Sequence, residues 1–160
     1  MSKQLNKKFI FSLFIFISLV LIFAFIIQYQ LGHQACTLCL YERIPYFLAV
    51  FLLAIIFIFK KYEKITLLVL SSIFICSSIL AFYHFGIEKG FFQESLACTT
   101  GDVLGTFTKE QLLEQLNQNT IGCKDVSFKI LGLSLASINI IFSIALSVIF
   151  AKLFINYGKN

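Results

Sequence analysis

Residues 9–27 read FIFSLFIFISLVLIFAFII, nineteen residues in which Ser12 and Ser18 are the only polar members. A helix that crosses a bilayer needs roughly 20 apolar residues, within a range of about 17–25. Three more runs lie downstream. Residues 44–59 carry no charge in 16 positions, 65–87 none in 23 with His84 counted neutral, and 130–151 none in 22. The second run is short alone, so its helix is expected to start near Leu40 and to carry Glu42 and Arg43 in its first turns. Pro45 then stands at the helix start, where a missing N–H is tolerated. Of the 160 residues 59% are hydrophobic and 13% charged, with 20 Phe and one Pro, a balance unsuited to a water-soluble domain of this size. Strict alternation is absent, which excludes a β-barrel reading. The first run exceeds the 7–15 residues of a typical signal-peptide core and leads into Gln28, Tyr29 and Gln30, so it reads as a retained span.

These features predict an all-α membrane protein, a four-helix transmembrane bundle in a single integral domain over 1–160. Spans are expected at about 9–29, 41–60, 65–85 and 130–153, with loops at about 30–40 and 86–129. Lys and Arg in short loops set orientation. Lys3, Lys7, Lys8, Lys60, Lys61, Lys64, Lys152 and Lys159 share one side with a single acid, Glu63. The other side holds five basic residues against seven acids. Both termini are therefore expected in the cytoplasm and both named loops outside. The net charge of +5 is mostly this inside bias and does not indicate nucleic acid. Within the second loop, residues 107–119 read as a short amphipathic helix. Thr108 and Gln111 form its capping box, and Leu112, Leu113 and Leu116 share a face.

Four of the five cysteines fall in the outer loops: Cys36 and Cys39 in the first, Cys98 and Cys123 in the second. Cys76 lies mid-span and reads as a small apolar packing residue. An oxidising compartment suggests disulfides for the other four. Structural staples, a zinc site and redox catalysis all remain open on count alone. Zinc ranks last, because Cys98 and Cys123 lack knuckle spacing. A bridge across Cys36-Thr37-Leu38-Cys39 closes too short a loop to staple the chain, and short constrained pairs are the exchangeable kind. Arg43 follows Cys39 by four residues, one helical turn, where a fixed cation favours a thiolate. His84, near the outer end of the third span, reaches the same depth. The two residues are candidates for one apolar ligand pocket beside Cys39. No G-x-G-x-x-G fingerprint, haem attachment motif or iron–sulfur spacing is present. A lipid-soluble quinone is the remaining electron acceptor.

The stretch Cys36-Thr37-Leu38-Cys39-Leu40-Tyr41-Glu42-Arg43 resembles the C-x-L-C-x-Y-E-R signature of the bacterial disulfide bond formation protein B (DsbB) family. Cys123-Lys124-Asp125 with Leu131-Gly132-Leu133-Ser134 is similar to that family's entry into its fourth helix. Tyr83-His84 followed by Gly86-Ile87-Glu88-Lys89-Gly90 is similar to its end of helix three. The resemblance implies a quinone-dependent protein-disulfide oxidoreductase of the bacterial inner membrane. Such an enzyme reoxidises a periplasmic thioredoxin-fold oxidase of the DsbA type and delivers electrons to ubiquinone or menaquinone. It also implies redox-active pairs Cys36–Cys39 and Cys98–Cys123 and a transient Cys36–Cys123 bond. Cys98 would meet the partner, Cys39 would face the quinone, and Arg43 and His84 would bind it. No resident metal is expected. The competing readings are a membrane scaffold with two structural disulfides and a vitamin-K-epoxide-reductase-like enzyme. The Tyr41-Glu42-Arg43 context speaks against the second.

Overall fold

The computed structural model describes residues 7–32, 35–59, 62–93, 123, 129–130 and 132–157. Among these are four long helices: α1 (Lys7–Tyr29), α2 (Thr37–Ile58), α3 (Glu63–Glu88) and α4 (Leu135–Asn156). They contain between 22 and 26 residues. At 1.5 Å per residue they run about 33–39 Å, enough for a hydrocarbon core of about 30 Å. Their outward faces are apolar, with Leu19, Phe23, Phe51, Ile65 and Ile79 all more than half exposed. The chain is a multi-pass helical membrane protein, as the four apolar runs require.

Helix α3 packs most extensively on α4, while α1 lies along α2 and α2 along α3. The inward residues alternate three and four apart, the spacing of a left-handed bundle seam. On α2 the seam is Cys39, Glu42, Tyr46, Ala49, Leu53 and Ile56. On α3 it is Leu67, Leu70, Phe74, Ser77, Ala81 and His84. On α4 it is Ala136, Asn139, Ser143, Leu146 and Phe150. One half of the bundle is therefore a dry core, with Phe74 stacked on Phe150 at 5.8 Å. The other half gathers Cys39, Glu42, His84 and Asn139 at the end where α2 and α4 begin. Small polar residues let α3 and α4 approach. Ser71 Oγ donates to the Ser147 carbonyl at 3.3 Å, Ser147 Oγ to the Ser71 carbonyl at 3.4 Å, and the Ser77 and Ser143 hydroxyls lie 3.1 Å apart.

Two boundaries differ from those the apolar runs suggest. Helix α2 starts at Thr37 because Cys36 caps it with an extended backbone, its Sγ accepting the Cys39 N–H at 3.3 Å. Pro45 consequently sits two turns inside the helix rather than at its start, and cannot donate to the Tyr41 carbonyl one turn earlier. Helix α4 starts at Leu135, later than residue 130. Ahead of it lies an antiparallel ladder of β1 (Lys129–Ile130) and β2 (Leu133–Ser134), turned by Gly132 at φ 82°. Ser134 then caps α4, its Oγ accepting the Ser137 N–H at 3.3 Å. The amphipathic helix expected over 107–119 and Cys98 lie outside the described residues.

Candidate active site

Cys36 and Cys39 are free thiols with their sulfurs 2.9 Å apart. Both follow from the start of α2. Cys36 is the N-cap residue, and Cys39, three residues on, is returned to the same side of the first turn. Cys36 is 6% exposed. It packs in a small cluster with Leu38, Ile87 and Cys123, against Leu80 and Tyr83. Cys123 is 2% exposed and disulfide-bonded. Cys76 is a free thiol on the outward face of α3, so it contributes no core packing, contrary to the sequence expectation.

The Cys36 thiol is pushed well below the ordinary thiol range. The hydrogen bond from the Cys39 side chain is the largest cause; burial opposes it, and the hydrogen bond and charge of His84 add to the lowering. The N-terminal end of α2 also favours negative charge at this position.

Behind Cys36 runs a buried polar chain. His84 Nε2 lies 3.5 Å from Cys36 Sγ, and Nδ1 lies 2.8 Å from Glu42 Oε1. A carboxylate only accepts, so Nδ1 carries the proton and donates. Asn139 Nδ2 donates to Glu42 Oε2 at 2.8 Å, and the Tyr46 hydroxyl donates to Asn139 Oδ1 at 2.5 Å. The Tyr46 ring is held edge-on to Phe74 at 5.4 Å, which fixes where its hydroxyl points. Among the described residues no buried side-chain nitrogen or oxygen lacks a partner. Such satisfaction is what makes a carboxylate tolerable at this depth.

On the far side of α2 lies a cavity of about 540 Å³ between α1, α2 and α4. Phe16, Leu19, Val20, Phe23, Ile138 and Phe142 make its apolar walls, and Cys39, Glu42, Arg43, Tyr46 and Asn139 its polar ones. The Arg43 guanidinium is anchored on α1. It donates to Gln28 Oε1 and to the Ala24 carbonyl, the latter at 3.5 Å, and lies over the Phe25 ring at 5.2 Å. Among the described residues no carboxylate lies within ion-pair distance of it.

Sequence spacing puts Arg43 and His84 in one pocket with Cys39. The structure brings Cys39 and Arg43 to the cavity wall but leaves His84 off it, against Cys36. Glu42, which adjoins Arg43 in sequence, pairs with His84 instead. Asn139 and Tyr46 belong to no motif visible in the sequence. Their signal is the seam: a lone Asn three and four residues from inward Ala136 and Ser143 in an otherwise uncharged span.

Four spanning helices and a buried cysteine pair at one end of the bundle define a membrane thiol protein. The chain belongs to the disulfide bond formation protein DsbB family, whose model matches residues 6–153. It is therefore a disulfide oxidoreductase serving disulfide bond formation. An uncharacterized protein of Rickettsia prowazekii (strain Madrid E), RP370, is 30% identical over 139 residues, 86% of this chain and 80% of that protein. No solved structure matches.

Proposed function

We propose that this protein reoxidises a DsbA-like thioredoxin-fold oxidase at the outer face of a bacterial inner membrane and passes the electrons to ubiquinone or menaquinone. The observation that carries the reading is the position of the free pair. Cys36 packs with disulfide-bonded Cys123, while Cys39 lies on the wall of an apolar cavity beside Arg43. Exchange with a protein disulfide on one side and access for a lipid-soluble molecule on the other are what such a relay needs.

The cavity fits a quinone. Its volume falls within the roughly 300–1,000 Å³ of small-molecule sites, its walls are aliphatic and aromatic, and Arg43 offers a cation that no carboxylate pairs with among the described residues. Arg43 would hold a quinone through a carbonyl oxygen, with Cys39 beside it. A bound quinone supplies a sink for two electrons and two protons.

The remaining chemistry belongs to the chain. A partner thiolate attacks Cys98 of the Cys98–Cys123 disulfide, and the partner's second thiol resolves the mixed disulfide. The partner leaves oxidised, and Cys98 and Cys123 are reduced. Cys123 thiolate then attacks Cys36 of a Cys36–Cys39 disulfide, releasing Cys39 thiolate. Cys98 thiolate attacks Cys123, restoring Cys98–Cys123 and releasing Cys36. Two electrons now rest on Cys36 and Cys39, the pair found free, while Cys123 is bonded. His84, oriented by Glu42, exchanges the proton of Cys36 through Nε2.

Redox titration of the two pairs separates this reading from a stapled scaffold. Structural bridges typically lie below about −300 mV. Relay pairs are expected to titrate at clearly more oxidising potentials; two pairs below that limit would make the protein a scaffold.

A further inference from the structure

We propose that the reduced Cys36–Cys39 pair and His84 form a binding site for a thiophilic divalent cation of the zinc type, open only in the dithiol state. The three ligand atoms, Cys36 Sγ, Cys39 Sγ and His84 Nε2, lie within 4.8 Å of one another. The zinc arrangement that the sequence offers joins Cys36 and Cys39 to Cys98 and Cys123, a second pair without knuckle spacing. The fold supplies a different third ligand, 48 residues along the chain from Cys36.

The geometry is close to what a metal requires. Tetrahedral bonds of about 2.3 Å to sulfur and 2.0–2.1 Å to nitrogen put S and N about 3.6 Å apart and two sulfurs about 3.8 Å apart. Cys36 Sγ and His84 Nε2 are already 3.5 Å apart. The two sulfurs, at 2.9 Å, must open by roughly 0.9 Å, a side-chain rotamer adjustment at the start of α2. The ring is also pre-set. Glu42 accepts the hydrogen bond from Nδ1, so Nε2 is the nitrogen that faces Cys36 and, on giving up its proton, can bind a metal, the carboxylate–histidine–metal pattern of known zinc sites. Asn139 holds the other carboxylate oxygen in place. Three protein ligands leave a fourth position open.

Binding balances simply: one dication joins the Cys36 thiolate, the Cys39 thiol and the His84 imidazolium, and the Cys39 and Nε2 protons leave, giving a dithiolate–imidazole complex. No oxidant is needed. A disulfide offers no thiolate, so oxidation of the pair closes the site. A bound cation in turn withholds both sulfurs from oxidation. The site is thus a redox-state-selective lock on the same dithiol. Metal binding does not depend on quinone being the acceptor, and its test does not use turnover.

The test uses Co²⁺ as a spectroscopic probe on the full-length chain in detergent, carrying Cys98→Ser and Cys123→Ser and reduced with a phosphine. A sulfur-to-cobalt charge-transfer band saturating at one Co²⁺ per chain is expected, with loss of the band on adding Zn²⁺. Cys36→Ser should abolish it. His84→Gln should weaken Co²⁺ binding at least tenfold, and Glu42→Gln by roughly 10–100-fold. Reoxidised protein should give no band. If the double-serine background does not fold, the difference between the reduced native-sequence chain and its Cys36→Ser variant gives the same readout. No band, a band indifferent to His84→Gln or Cys36→Ser, or equal binding to the oxidised chain would overturn the proposal.

Discussion

His84 Nδ1 lies 2.8 Å from Glu42 Oε1, so a carboxylate on α2 decides which nitrogen of a ring on α3 faces Cys36. Replacing Glu42 by Gln keeps the side chain's size but presents either an amide or a carbonyl to Nδ1. The charged ring that faces Cys36 then loses its carboxylate partner. We expect Glu42→Gln to move the acid limb of the Cys36 alkylation profile upward by about one pH unit, with the rate at neutral pH unchanged. Peptide mass spectrometry after timed iodoacetamide quenching measures it. An unmoved acid limb would separate Glu42 from the thiol.

The lowered Cys36 thiol makes a pH prediction with a definite sign. Its native value lies below its unfolded one, so native Cys36 is thiolate through the neutral range. The stability it contributes is complete above the unfolded thiol value of about 8.5 and is lost as pH falls through the lowered native value. Alkylation of Cys36 in the folded, reduced protein should therefore stay flat between pH 6 and 8. In the detergent-unfolded chain it should rise about tenfold per pH unit below about 8.5. A native rate climbing as steeply as the unfolded one contradicts the site electrostatics.

Arg43 meets the cavity with a planar fork anchored by Gln28 and the Ala24 carbonyl. Arg43→Ala removes both the charge and the fork, and we expect the apparent KM for quinone to rise roughly tenfold, about 1.4 kcal/mol of binding. Arg43→Lys keeps the charge but not the geometry and should fall between the two. Steady-state titration with a soluble quinone decides; an unchanged KM takes Arg43 out of the binding site.

Asn139 bridges Glu42 and Tyr46, tying α4 to α2. Side-chain hydrogen bonds between membrane helices average about 0.6 kcal/mol and reach about 1.7. Two are lost in Asn139→Ala, so a destabilisation of about 1–3 kcal/mol is expected in a detergent-denaturation titration. A wild-type midpoint would mean that the polar chain is not under load.

Much of the architecture was legible because a bilayer asks for one thing, an uninterrupted apolar run, and four are present. The start of α2 was not, since Glu42 and Arg43 interrupt the apolar pattern and the cap is a cysteine, whose Sγ is an unusual acceptor. The Cys36–Cys39 pair and Arg43 stand out in sequence, by spacing and by charge at membrane depth. Asn139 and Tyr46 do not, because neither is charged and each breaks no hydropathy run. Only the three-and-four seam, shared by Glu42, His84 and Asn139 on three helices, reveals that they meet. The partition of the two basic residues, Arg43 to the cavity and His84 to Cys36, depends on which side of α2 each neighbouring helix packs, and no spacing within one helix encodes that.

The most direct measurement mixes the purified protein with quinone and a reduced thioredoxin-fold oxidase and follows quinone absorbance. Absorbance should fall in step with oxidation of the partner. With Cys98→Ala, partner oxidation should stop, while a single turnover from pre-reduced Cys36 and Cys39 to quinone persists. Partner oxidation at the native rate in Cys98→Ala, or partner oxidised with quinone absorbance unchanged, would contradict the relay.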